Sequence, residues 1–273
     1  MIRLISRSLQ LDLQFLLLDI RLDKKLEFIL KKYWVLFREL LSPVIDSRRK
    51  VSIFGQEYYY DDRFGLAVLQ GTFIDNAFLK KFIHEDAVII DIGANIGQFN
   101  LFSRYYLKAK RVYSFEPVKQ TFTYLKLNNP KYSFQAAVSE KKKLKLYIAE
   151  LSVWTSAYLS NPTDKVEYVK GIKLDSFSPI INEQSIDLIK IDTEGTELDV
   201  LKASRLTLRK ARYILLEVQF LHLADSNIRE ILNYLEVEIP GASVVRIGRV
   251  YNSEYDGTTG SADILIYNHK KQL

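Results

Sequence analysis

An α/β fold on a mostly parallel sheet is what this chain predicts, and three observations predict it. Short apolar runs alternate with helical segments from Val88 to Val218, the pattern of strands covered by helices on both faces. The first run, Val88–Asp91, ends in a carboxylate and passes through Gly93 and Gly97 into a helical segment. The chain closes on two strand-like runs, Ser243–Tyr251 and Ala262–Tyr267, joined by a stretch rich in Gly, Asp and Thr. That ending predicts an antiparallel hairpin completing a seven-stranded sheet.

Taken in order, residues 1–50 read as a helical N-terminal extension and residues 51–273 as the main domain. Leu26, Ile29, Leu30, Tyr33, Trp34, Phe37, Leu40 and Leu41 recur at three- and four-residue steps, with Lys31, Lys32 and Arg38 off the stripe. A helix over Lys25–Leu41 follows, and Pro43 ends it. The stripe is too aromatic for a solvated helix. It is expected to pack on the domain, with a homodimer surface as the second reading. A peripheral membrane contact is the third, because Glu27 and Glu39 stand among the flanking lysines, whereas membrane-surface helices are more one-sidedly basic.

Val51–Tyr60 alternates as a strand or hairpin, with Asp61-Asp62 as a turn. Phe73–Ile83 reads as the helix before the first core strand. Core strands are expected at Val88–Asp91, Arg111–Glu116, Ser133–Ala137, Ser185–Asp192 and Tyr213–Val218. Helices near Gly97–Lys108, Lys119–Asn128 and Thr196–Ser204 separate them. Leu144–Glu150 and Val166–Lys173 read as extra strands between the third and fourth core strands.

Composition narrows the function. With 273 residues and 48% hydrophobic content, the chain has room for a full sheet and its covering helices. Cysteine is absent, which removes disulfides, cysteine zinc sites and catalysis through a thiol adduct. The net charge is +6 and the pI about 9.1. The basic residues are scattered, and no stripe interleaved with aromatics forms a nucleic-acid platform. Leu11–Ile20 is interrupted by Asp12, Gln14 and Asp19, which argues against a membrane span or a signal peptide.

The run Val88–Gln98, V-I-I-D-I-G-A-N-I-G-Q, is the most informative stretch. A strand, a glycine turn and a helix N-terminus make a ligand site at the carboxyl end of a parallel sheet. A Cβ at either glycine would block the ligand or the turn. The dinucleotide fingerprint G-x-G-x-x-G is incomplete, because Ala94, Asn95 and Ile96 separate the two glycines. Asp91 suits a ligand carrying positive charge, such as S-adenosyl-L-methionine. Glu116 ends the next strand with Pro117 after it, at the separation of a ribose-binding carboxylate.

D-I-G-A-N-I-G-Q-F at Asp91–Phe99, S-F-E-P at Ser114–Pro117, A-V-S at Ala137–Ser139, K-L-D-S-F at Lys173–Phe177 and I-K-I-D-T-E-G-T-E at Ile189–Glu197 resemble the FkbM-type S-adenosylmethionine-dependent methyltransferases. The resemblance covers roughly Glu85 to Val218. It implies the Rossmann-like class I methyltransferase fold, a cytoplasmic setting and methyl transfer to a hydroxyl oxygen, often on a sugar or polyketide. In that fold Ala137 and Val138 face the adenine, and Ser139 adds a hydroxyl.

The acceptor side is read from chemistry. Methyl transfer to an alcohol needs alignment and a group that removes the proton. Strand alternation puts Leu188, Lys190 and Asp192 on one side and Ile189 and Ile191 on the other. A lysine in a central strand needs a carboxylate partner, so Lys190 is expected to meet Asp192 or Glu194. These two acids are the leading base or orienting candidates, and His222 is a further base candidate. Glu217 breaks an apolar strand and belongs to the same polar site. Trp154 and Ser156 are candidate acceptor contacts, an aromatic face suiting a sugar ring. Asp192, Glu194 and Glu217 could hold a divalent cation, though metal dependence is not the favoured reading. His84 and His269 read as surface or packing residues.

The reading is therefore an O-methyltransferase whose acceptor is a hydroxyl of a sugar in a glycan or glycolipid. A polyketide or small-molecule hydroxyl is the alternative. A nicotinamide-dependent oxidoreductase and a non-catalytic binding module are rivals from other classes.

Overall fold

The computed structural model describes residues 2–41, 49–61, 64–148, 165–220, 228–252 and 259–269. Its centre is a seven-stranded sheet. The apolar run of β3 (Val88–Ile92) is buried along its whole length. It pairs in parallel with β4 (Arg111–Phe115) and with β9 (Ile186–Ile191). Beyond β4 lies the short β5 (Ser133–Phe134), and beyond β9 lies β10 (Ala211–Gln219), both again parallel. The expected C-terminal hairpin closes the sheet: β12 (Thr259–Tyr267) runs antiparallel to both β10 and β11 (Ser243–Asn252). The order is β11-β12-β10-β9-β3-β4-β5.

Helices cover both faces. On one face the side chains of Leu188, Leu215 and Leu265 meet Leu101 and Phe102 of α4 (Gln98–Tyr105) and Phe73 of α3 (Gly65–Asn76). On the other, Ile189, Ile191 and Leu216 meet Leu198 and Leu201 of α7 (Glu197–Lys202), Leu208 of α8 (Arg205–Lys210) and Leu235 of α9 (Ile228–Glu238). α5 (Lys119–Asn128) follows β4 as expected, and a single turn, α6 (Ser178–Ile181), precedes β9.

The structure departs from the sequence reading in three places. The strands inserted between the third and fourth core strands, β7 (Lys143–Ile148) and β8 (Lys165–Ile172), do not join the main sheet. They form a three-stranded sheet with β6 (Ala137–Val138), which the sequence reading ran into the third core strand. Of the two forms expected for Val51–Tyr60 the hairpin is the one present, β1 (Arg49–Ile53) and β2 (Gln56–Tyr60) turning at Phe54 and Gly55; Asp62 of the expected following turn lies outside the described residues. The helix before the first core strand starts at Gly65, not Phe73. The segment near 204 continues into α8, where one helix was expected.

The largest correction concerns the N-terminal extension, a hairpin of α1 (Ile2–Leu16) and α2 (Leu22–Leu41). The face of α2 turned inward is Lys25, Phe28, Lys32 and Val35, not the predicted stripe. Phe28 stacks on Phe15 and Phe54 at ring distances of 4.8 and 5.7 Å, and Phe15 packs on Phe73. Lys32 is buried because its ammonium donates to Asp12, Gln70 and Ser8, joining α1, α2 and α3. A buried lysine is tolerable only with such partners. Leu26, Leu30, Tyr33, Trp34, Phe37 and Leu41, expected to be covered by the domain, face outward. The hydrophobic pattern of α2 has two apolar faces, and aromatic content pointed to the wrong one.

Candidate active site

Beyond the carboxyl ends of β3, β4, β9 and β10 lies a cleft of about 1100 Å³. One half is built by the glycine turn. Gly93 sits at φ +78, and a Cβ there would stand 1.8 Å from the Asp192 carbonyl oxygen. The glycine is therefore required by the close approach of the β3 and β9 loops, and it also lines the cleft. Gly97, at φ +98, opens α4 and packs against Leu125 and Asn128. It is not among the residues facing the cleft, so its contribution is the turn itself. Asn95, also at positive φ, is held by its own side chain, whose oxygen accepts the Ile96 amide.

Glu116 ties this turn to β4. One carboxylate oxygen accepts the Asn95 amide at 3.0 Å and the other the Val118 amide at 2.9 Å. Burial pushes its carboxyl up to about 7, against the pull of those two amides. Each oxygen keeps acceptor capacity beyond these bonds. Ala94, Asn95 and Pro117 face the cleft beside it. Ala137, Val138, Phe115, Leu144 and Leu146 make an apolar wall. Ser139 is engaged elsewhere, donating to Asp199.

The other half is a knot of acids around one lysine. Lys190 Nζ lies 2.8 Å from Asp192 and 3.9 Å from Asp91, and 5.5 Å from the Phe99 ring centroid. Burial works against its charge, but Asp192 and Asp91 outweigh this and hold its pKa above the usual lysine value. Asp192 is likewise held low, because Lys190 overcomes the cost of burial. The remaining carboxyls go the other way. Desolvation, aggravated by the Asp192 charge, raises Glu194 to about 8 and Asp263 to about 7. Glu217 rises further, to about 10, in a hydrogen bond with Asp192 while accepting Ser261 Oγ at 2.6 Å. Oxygens of Asp192, Glu194 and Glu217 all lie within 4.8 Å of one another.

The loop bearing these acids is shaped by Glu197, a residue the sequence reading left without a role. Its carboxylate accepts the amides of Thr193 and Gly195 and the Thr193 hydroxyl. That staple holds Glu194 at φ +53 and Gly195 at φ +108. Sequence reasoning also missed Asp263, which faces Glu217 across the β10–β12 ladder. An acid interrupting the apolar run A-D-I-L-I-Y was the available signal. Gln10 and Gln14 of α1 and Arg246 of β11 complete the wall; nothing in their spacing marks them. Trp154, Ser156 and His222 lie outside the described residues. His84 and His269 are peripheral, bonded to Asp187 and Ser243.

Asp91 lies behind the glycine turn rather than on the cleft wall. It is fully buried, and neither carboxyl oxygen has a hydrogen-bond partner among the described residues. Desolvation raises it to about 6 despite Lys190. Its ion pair with Lys190 at 3.9 Å leaves a buried acid behind the glycine turn, and its negative sign suits a donor bearing cationic groups, which is what the sequence motifs implied.

Comparison with known proteins agrees. Residues 91–238, more than half of the chain, match the methyltransferase FkbM domain. The chain belongs to the FkbM methyltransferase family. S-adenosylmethionine is accordingly the cofactor of this FkbM domain. Among its relatives, the chain is 27% identical over 55% of its length to the AMB antimetabolite synthetase AmbE of Pseudomonas aeruginosa, spanning 9% of that protein. It is 25% identical over 48% of its length to Methyltransferase 1 of Beauveria bassiana, spanning 63% of it. The chain thus spans less than two thirds of either relative. An FkbM methyltransferase structure from Methylobacillus flagellatus is 16% identical with a TM-score of 0.44, over 75% of this chain and 55% of that one.

Proposed function

We propose that the FkbM domain is an O-methyltransferase whose acceptor is a sugar hydroxyl of a glycan or glycolipid. The observation that carries this reading is one cleft with two complementary halves. The glycine turn and Glu116, with Asp91 buried behind them, suit a cationic donor, and beside them the carboxyls of Glu194, Glu217 and Asp263 stand ready to take or hold a proton.

When bound, the cofactor supplies a methyl group on a positively charged sulfur. Glu116 and the glycine turn would hold it, with the charge of Asp91 behind them. Everything else falls to the chain. Lys190 keeps Asp192 ionised, giving a fixed anion that orients an acceptor hydroxyl. Glu194, raised to about 8, takes the hydroxyl proton in the fraction of molecules where it is ionised, a fraction that grows as pH rises. Glu217, protonated at neutral pH, donates to Asp192 and leaves Glu194 as the nearby base. The apolar wall of Val138, Leu144 and Leu146 limits water at the donor end.

A small-molecule hydroxyl is the second reading, favoured by the match to a protein named as an antimetabolite synthetase. Methyl-labelled donor incubated with the purified chain and with glycan, lipid and small-molecule extracts tests both. Label in an alkali-stable sugar ether supports the first reading. Label in a nitrogen or only in non-sugar products overturns it. A chelator in the same assay tests the cation alternative: the Lys190 ammonium already neutralises Asp192, so the rate is expected to hold.

A further inference from the structure

Both helices of the N-terminal hairpin carry large exposed apolar side chains. Leu13 and Leu17 on α1 and Leu26, Leu30, Trp34 and Phe37 on α2 are 67%, 85%, 47%, 71%, 54% and 61% exposed. The α2 residues recur at three- and four-residue steps, so they form one line along the helix. The inner face is locked by the Lys32–Asp12–Gln70 network, so this outer face is preformed rather than a by-product of loose packing. A line of large exposed apolar side chains of this kind marks an interaction site.

Charge identifies the occupant. The first fifty residues hold eleven Lys and Arg against six Asp and Glu, a net +5 of the chain's +6; with Lys25, Lys32 and Asp12 turned inward, nine against five remain, a net +4. Residues 51–273 contribute only +1. A second copy seated face to face would bring two such concentrations together, whereas an anionic bilayer offers the opposite sign. The arrangement of side chains fits a lipid interface. Trp34 sits in the apolar line with the Arg38 guanidinium 5.0 Å from its ring centroid, an apolar body beside a cation at the depth of head groups. At 20 residues, α2 is about 30 Å long, yet no described helix is long and apolar enough to cross a membrane. It is built to lie flat.

We propose that this face docks the protein on the surface of an anionic phospholipid bilayer. Gln10 and Gln14 of α1 line the cleft, so docking through the hairpin holds the cleft close to the bilayer surface. An acceptor carried on a lipid follows, and that consequence, unlike the docking itself, rests on the methyltransferase reading.

The test uses the full chain and no activity. Sedimentation is measured with vesicles of phosphatidylcholine alone and of phosphatidylcholine with phosphatidylglycerol, for the wild type and for Leu30→Glu/Trp34→Glu. Unchanged melting temperature and S-adenosylhomocysteine affinity confirm that the variant is folded. The expected result is binding to the anionic vesicles, weakened about tenfold or more by the variant, by salt and by removal of the anionic lipid. Absence of binding, or equal binding by the variant, overturns the proposal. So does a solution dimer that the variant splits, which would assign the face to a second copy.

Discussion

At the scale of single residues, the cleft is governed by too many acids for its cations. Asp91, Asp192, Glu194, Glu217 and Asp263 gather around Lys190, and they cannot all be ionised at low dielectric. Glu194→Gln is expected to cut turnover about a hundredfold or more while donor affinity moves little. The kcat/KM profile of the wild type should rise with pH through about 8, where Glu194 loses its proton, and the variant should lose that limb. Stability has the opposite sign. Glu217 binds a proton more tightly folded than unfolded, so its contribution is full below the ordinary carboxylate range and is lost as pH rises towards about 10. Melting temperatures of donor-free protein should therefore fall from pH 6 to pH 9, and Glu217→Gln should flatten the fall. At the donor end, Glu116 hydrogen-bonded to ribose hydroxyls would contribute about 1.5–3 kcal/mol. Glu116→Ala should weaken S-adenosylhomocysteine binding about tenfold or more by calorimetry. An unchanged affinity in a folded variant would limit Glu116 to bracing Asn95 and Val118.

At the scale of elements, the glycine turn and the N-terminal hairpin show what a sequence discloses and what it withholds. Periodicity and the carboxylate positions located β3, β4, β9 and β10 and the acids at their ends, because buried parallel strands are nearly pure apolar runs whose exceptions stand out. Asp91, Glu116, Asp192 and Glu217 were legible for that reason. Gly93 was legible as a necessity but not as to its cause, since its neighbour is the Asp192 carbonyl of a loop about a hundred residues away. Gly93→Val should therefore lower the melting temperature as well as abolish donor binding, where a glycine needed only for ligand space would leave stability alone. The buried face of α2 escapes an argument from apolarity because it contains Lys25 and Lys32. Lys25 donates to the Leu16 and Leu18 carbonyls at the end of α1, and Lys32 to Asp12. Such partners come from another helix and are invisible to a single helix's pattern. Breaking a buried pair from one side costs about 3–5 kcal/mol. Lys32→Ala should accordingly unfold at much lower denaturant, and Lys32→Met together with Asp12→Leu should recover part of the loss.

At the scale of the whole molecule, the hairpin is neither a free tail nor a separate module. Its inner aromatics, Phe15 and Phe28, cover Phe54 and Phe73, and Phe54 in turn stacks on Tyr105 of α4 at 4.0 Å. α4 is the helix that opens at the glycine turn. The hairpin therefore buttresses the donor half from behind while Gln10 and Gln14 close the cleft from the side. Removing residues 1–42 should do two things that single exposed substitutions do not. It should uncover the aromatic cluster, giving poorly soluble protein even without lipid. In whatever fraction remains folded, it should weaken donor binding by loosening α4. Surface changes such as Leu30→Glu touch neither contact and should spare both properties. A truncated chain that stays soluble and binds S-adenosylhomocysteine as tightly as the full chain would separate the hairpin from the catalytic domain. Its inner aromatic packing would then be incidental to the site, leaving the exposed outer face as its reason for being there.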